Sequence, residues 1–383
     1  MSTLSKAIER GEEISPALAG LNDLGVKKIL AVYHSQLSEG LYQGSQLVVL
    51  RNGHVVVDRA DGIANVRRKL KVRPDTPFNC FSISKPFSAI CIHKLIEEGR
   101  IDLDAPIARY WPEFGTRGKE TATIRHALLH QAGIPKRGLY SQIFLWANWG
   151  RVTHNVANLQ AEFPPGSQSR YHFVNFGFIL GEVLRRVTGK SIRTYLQENF
   201  LQGLDLKNTT LGLPVKKQKE AAYIYSGDKE QDLTAFVFNL PFIRSAEVPA
   251  ATLNSTAREL AVFFQMLLNQ GTYAGKEYLK PETAAKAVSL GYEGRDDGFG
   301  ENMRWGFGFD LGGTIRPTDP PRNSMGDKSS LATFGHIGQN CCIAWADSKE
   351  KLVVSFTTNR ILSGEKSKEM FRAISNAVWE AIA

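Results

Sequence analysis

The chain has 383 residues, of which 43% are hydrophobic and 22% charged, and carries a formal net charge of +9. This composition excludes a disordered or collagen-like chain and supports a core that needs no disulfide or metal staple. At roughly 150 residues per domain the length allows two or three domains, and the positive charge favours anionic partners without constraining the fold.

In chain order, residues 3–38 read as a helix pair with apolar Leu21, Leu24, Ile29, Leu30 and Val32. The start carries Glu9, Glu12 and Glu13 and no apolar core of a leader, and no run of 18 apolar residues occurs anywhere. The expectation is a cytoplasmic protein with no membrane partner. Gln46–Leu50 and His54–Val57 flank Arg51-Asn52-Gly53, the signal for a tight hairpin turn. Arg67, Arg68, Lys69, Lys71 and Arg73 form the densest basic run. No nucleic-acid motif accompanies it, so it reads as a solvated turn rather than a nucleic-acid surface.

A helix is predicted from Ser82 to about Glu98, ended by Gly99. Helix and loop continue from Arg100 to about Asp232, and an amphipathic helix spans Ser255–Asn269 with Gly271 as its stop. Residues 290–330, rich in Gly, Pro, Asp and Asn, read as long loops around one short strand near Trp305–Phe309. Ile343–Ala346 and Leu352–Phe356 form a second predicted hairpin, and Glu369–Ile382 a closing helix. The expected fold is α+β: an antiparallel sheet built from both chain ends (1–85 and 245–383) and flanked by helices, with a mainly helical insertion at 86–244. The active site falls in the cleft between them. The four cysteines, Cys80, Cys91, Cys341 and Cys342, show no CxxC spacing and read as small core residues. His126 and His130 lie four apart on a predicted helix, but HExxH is absent, so no metal is expected and their role is structural. Gly189-Lys190-Ser191 lacks the upstream glycine of a phosphate loop and reads as a helix stop and restart.

The chemistry concentrates in three short segments. In Ser82-Ile83-Ser84-Lys85 a hydroxyl precedes an amine by three residues, which places both on one helix face. A serine becomes a nucleophile only when a neighbouring base takes its proton. The second segment, Pro165-Gly166-Ser167-Gln168-Ser169-Arg170-Tyr171-His172, leads into an apolar helix at Phe176–Val187. The third, Gly335-His336-Ile337-Gly338-Gln339, has glycines on both sides of His336, a pattern of close approach at an edge strand. No GxSxG elbow occurs, which disfavours an α/β-hydrolase.

Together the three segments, with Leu95–Asp104, Thr123–Gly133 and Leu180–Val183, resemble the serine hydrolases built like class C β-lactamases and DD-peptidases. The likeness runs from roughly residue 25 to 380 and is strongest to the family VIII carboxylesterases. The resemblance implies Ser82 as nucleophile, Lys85 as its neighbouring base and Tyr171 as the second-motif tyrosine. It also implies an oxyanion hole from the backbone N–H groups of Ser82 and Gln339, with His336-Ile337-Gly338 in place of Lys-Thr-Gly. Which of Tyr171 and Lys85 carries the proton stays open, and His172 either contacts substrate or orients Tyr171. Two departures stand out. Phe173 occupies the position of an asparagine that holds the substrate amide, and His336 replaces a fixed positive charge that attracts a carboxylate. Both favour a neutral ester over a β-lactam acid.

The implied enzyme is therefore a short-chain carboxylesterase acting on a small ester, with no cofactor. The rival readings are a β-lactamase, a D-amino-acid peptidase or amidase, an acyltransferase to an alcohol, and an inactive binding protein of the same fold. Trp305 and Phe307 either line an acyl pocket or pack, and both monomer and dimer fit the sequence.

Overall fold

The computed structural model describes residues 12–135, 140–313 and 323–382. Helix α1, Asp23–Ser38, opens on Asn22, whose side chain accepts the Gly25 N–H at 2.6 Å. Of the predicted helix pair, the described residues contain one helix. Residues 1–11 of the other lie outside the described residues, and Pro16–Ala19 forms a single 3-10 turn closed by Gly20. Strands β1 (Gly44–Arg51) and β2 (His54–Asn65) make the expected hairpin. Asn52 (φ 50°) and Gly53 (φ 78°) both adopt the left-handed conformation that such a turn needs.

Short β3 (Leu70–Lys71) pairs with β2. Helix α2 covers Ser84–Glu97, starting two residues later than expected, and Gly99 (φ 68°) follows its end. Between residues 86 and 244 the chain supplies helices and two-residue strands, including α3 (Asn175–Thr188). Gly189 (φ 74°) stops α3, and the Ser191 side chain caps the next helix through the Thr194 N–H, the predicted stop and restart. Helix α4 (Ala257–Leu268) is capped by Thr256, which accepts the Glu259 N–H.

The expectation of loops across 290–330 is corrected: β4 (Tyr292–Asp296) and β5 (Glu301–Trp305) form a hairpin, and β6 (Asp310–Leu311) continues the sheet. These strands lie at the sheet's edge and carry Glu293, Arg295, Glu301 and Asn302, so their polarity imitates a loop while their pairing is regular. Residues 314–322 of that stretch lie outside the described residues. Strands β7 (Thr333–Gly338), β8 (Cys342–Asp347) and β9 (Leu352–Thr358) and helix α5 (Gly364–Glu380) complete the chain.

The nine strands pair antiparallel in the order β4-β5-β6-β7-β8-β9-β1-β2-β3. Late strand β9 sits between β8 and early β1, with Val48 opposite Ser355. Alternation along each strand then divides the core. Leu47, Val49, Val354 and Phe356 face α1 and α5, whereas Val48, Leu50, Val353 and Ala344 face the larger core that contains α2, α3 and α4. Among the described residues no helix is long and apolar enough to cross a membrane.

On the first face Trp345 is fully buried, stacks on Trp379 at 5.3 Å and donates its indole N–H to Ser375. Trp345→Ala is expected to lower stability by about 3–5 kcal/mol, read as a lower urea midpoint at unchanged slope.

Candidate active site

The Ser82 segment is shaped by its backbone. Phe81 has φ 45°, a left-handed conformation that a bulky residue adopts only when its surroundings hold it there. The hold is visible on both sides. Cys80 N–H donates to Leu253 O at 2.7 Å, and Phe81 bridges Thr252. Ser84 Oγ donates to Phe81 O and accepts the Leu253 N–H. The turn closes with Ile83 N–H to Cys80 O and Lys85 N–H to Ser82 O, which sets Ser82 at the mouth of α2, half exposed.

One helical turn on, Lys85 is completely buried. Its Nζ donates to Ser82 Oγ at 3.1 Å and to Ala250 O at 3.4 Å, and lies 4.5 Å from the centroid of the Tyr171 ring and 5.9 Å from that of Phe176. Burial holds its pKa well below the ordinary lysine value, because desolvation disfavours the ammonium and no carboxylate among the described residues pairs with it. A neutral amine beside a serine hydroxyl is a base in position to take the hydroxyl proton.

Tyr171 is also buried. Its ring lies 6.2 Å from that of His336, so the structure brings together residues from all three segments. His336 sits on β7 with its Nδ1 donating to Ile337 O at 2.8 Å. Gly338 ends the strand where a Cβ would come within 2.2 Å of Cys80 O and 2.4 Å of Cys342 Sγ. Only a glycine there lets β7 lie against the segment that carries Ser82. Gln339 follows with φ 36° and Asn340 with φ 58°, so the backbone turns sharply beside the Ser82 segment.

His172 is buried, and its Nε2 accepts the Ala132 N–H at 3.2 Å. Burial lowers its pKa to about 4, so it is neutral at pH 7. Its ring thus ties the Tyr171 segment to the backbone at Ala132. Phe173 is half exposed, with its ring 5.0 Å from Tyr171 and 6.3 Å from Phe299. Trp305 is buried and stacks on Tyr171 at 5.6 Å.

Three residues that surround Tyr171 were not singled out for this site from the sequence. His130, fully buried with φ 61°, lies beyond the short helix Ile124–Leu128 rather than on it, and its ring is 4.6 Å from Tyr171. His126 instead caps that helix together with Thr123. Among the described residues no group of three metal-binding side chains converges. Phe299 stands 4.7 Å from Tyr171, and the Asp296 carboxylate accepts the Tyr171 N–H at 3.1 Å. The Asp-Asp-Gly-Phe-Gly run at 296–300 was a legible turn signal, but nothing local ties it to residue 171.

A family model described as Beta-lactamase matches residues 31–378. The chain belongs to the beta-lactamase family. It is similar to an esterase/beta-lactamase named LipL from Mycobacterium tuberculosis, at 27% identity over 386 residues, 92% of this chain and 85% of that protein. A crystal structure of a family VIII carboxylesterase superposes with a TM-score of 0.79 at 28% identity, over 93% of this chain and 98% of the other. A penicillin-binding-protein homologue from Caulobacter crescentus gives a TM-score of 0.78 at 26% identity, over 94% and 98%. These findings support a serine hydrolase of the esterase kind.

The close approach of β7 is testable. Gly338→Ala is expected to cost about 1–3 kcal/mol, because backbone on one side and a buried thiol on the other meet the new methyl. Gly364→Ala, whose Cβ would meet nothing within 4 Å, is expected to leave the melting temperature unchanged.

Proposed function

We propose that the chain is a carboxylesterase of short-chain esters that works through an acyl-enzyme on Ser82. The observation that carries this reading is the buried Lys85 amine at 3.1 Å from the Ser82 hydroxyl, with Tyr171 packed against it. Ser82 Oγ attacks the ester carbonyl carbon while its proton passes to the Lys85–Tyr171 pair. The oxygen of the tetrahedral intermediate takes hydrogen bonds from the Ser82 and Gln339 N–H groups. As the intermediate collapses, the bond to the alcohol oxygen breaks and the same pair returns the proton to the leaving alkoxide. Water, deprotonated by the pair, then attacks the acyl carbonyl, releasing the acid and restoring the serine.

The rim supports this substrate class. Phe173 and Phe299 bring apolar rings where the family's asparagine would hold an amide, and neutral ester groups suit that surface better than a β-lactam carboxylate. His336, buried on β7, lacks the fixed charge of a lysine at that place.

Ser82→Ala is expected to abolish hydrolysis of a short p-nitrophenyl ester with the melting temperature unchanged. Lys85→Ala and Tyr171→Phe are each expected to lower kcat at least ~100-fold. Covalent capture of Ser82 by a fluorophosphonate probe separates an enzyme from an inactive binding protein. Rapid nitrocefin turnover with no ester hydrolysis would replace the esterase reading by a β-lactamase one.

The pH dependence has a fixed sign. Lys85 must be neutral to accept a proton, so kcat/KM rises as pH passes upward through its lowered pKa and then levels. The plateau is expected well below pH 10.5, the ordinary lysine value. A rate still climbing through pH 10 would remove Lys85 as the base.

A further inference from the structure

We infer that Asp296, a residue outside all three motifs, is the positioning residue that sets where Tyr171 stands. This rests on the esterase reading above and adds the device that holds its tyrosine. Asp296 ends β4 and is completely buried. One carboxylate oxygen accepts three backbone N–H groups: Tyr171 at 3.1 Å, Gly298 at 2.8 Å and Phe299 at 3.2 Å. The other accepts the Ser169 hydroxyl at 2.7 Å and the Trp305 indole N–H at 3.3 Å. Each donor belongs to the Tyr171 segment or to a residue packed on it.

The carboxylate therefore joins separate parts of the site. It anchors the irregular backbone 169–171, which also bridges to β4 through Ser169 opposite Asp296 and through Asp297 N–H to Ser169 O at 2.9 Å. It fixes the turn that brings Phe299 to 4.7 Å from the tyrosine ring, and it orients the indole that stacks on that ring. Gly298 completes the fit, since a Cβ there would come within 2.7 Å of Tyr171 N. Hydrogen bonds from neutral donors to a buried carboxylate are stronger than neutral pairs, and five of them compensate its removal from water. Such a hub gives the tyrosine one position rather than several. A displacement of about 1 Å in a reacting group costs on the order of 100-fold in rate.

Asp296→Asn keeps the shape but cannot accept from all five donors. On a short p-nitrophenyl ester it is expected to lower kcat by roughly 30- to 100-fold with KM changed less than about 3-fold. The decisive measurement is the double variant with Tyr171→Phe. It is expected to be within about 2-fold of Tyr171→Phe alone, because a residue that acts through the tyrosine has nothing left to act on once the hydroxyl is gone. A general loss of packing would instead multiply the two effects. Should Asp296→Asn fail to fold, Ser169→Ala removes one of the five bonds with the smallest perturbation, and a smaller kcat loss with the same non-additivity is expected. Wild-type kcat in either folded single variant, or multiplying losses in the double variant, overturns the role of Asp296. Failure of the unaltered chain to hydrolyse the ester and to react with fluorophosphonate overturns the esterase reading itself.

Discussion

Everything at this site depends on an amine kept out of water beside a hydroxyl. Lys85 is fully buried, and its amine donates to a hydroxyl and to a carbonyl oxygen. A lysine in such a place is costly as a cation, so burial favours the neutral form, the one able to accept a proton from a neighbouring hydroxyl. The cost falls on folding and the benefit on chemistry, a trade common at catalytic sites. The left-handed Phe81 is a second local strain, and it lies one residue from Ser82.

The rest of the architecture supplies rigidity to that arrangement. Ser84, although part of the SxxK motif by position, donates its hydroxyl to Phe81 O and accepts the Leu253 N–H, tying the Ser82 turn to the strand Leu253–Ser255. Gly338 lets β7 approach from the other side. Tyr171 arrives on irregular backbone and is held by histidines on one flank, where His130 Nδ1 accepts the His172 N–H, and by Asp296 on the other. Lys85 is thus fixed by burial, Ser82 by a strained turn, and Tyr171 by hydrogen bonds to its backbone.

Much of this was legible in the sequence wherever the signal was local. The Asn52-Gly53 turn, the β8–β9 hairpin and the α4 helix with its Gly271 stop follow from spacing and turn chemistry alone, and Ser82, Lys85, Tyr171 and His336 converge as the motifs implied. The misreadings have physical causes. Strands β4 and β5 lie at a sheet edge and are half solvated, so charged residues masked their pairing. The first predicted helix left only a 3-10 turn among the described residues, started by Pro16 and ended by Gly20. Asp296 escaped notice because its meaning resides in contacts 125 residues away, and no periodicity encodes those. His130 was read by its spacing to His126, yet the helix stops at Leu128 and turns its ring toward Tyr171 instead.

The interleaving of the sheet carries a consequence for biosynthesis. Strand β1 pairs on one side with its own hairpin partner, but on the other with β9, so Val48 meets Ser355 only after all the residues between them have left the ribosome. Until then the early hairpin has an open edge, and the wall that β7 presents to Cys80 does not yet exist. The sheet therefore closes late, and the nascent polypeptide must keep an unpaired strand from foreign company while it waits.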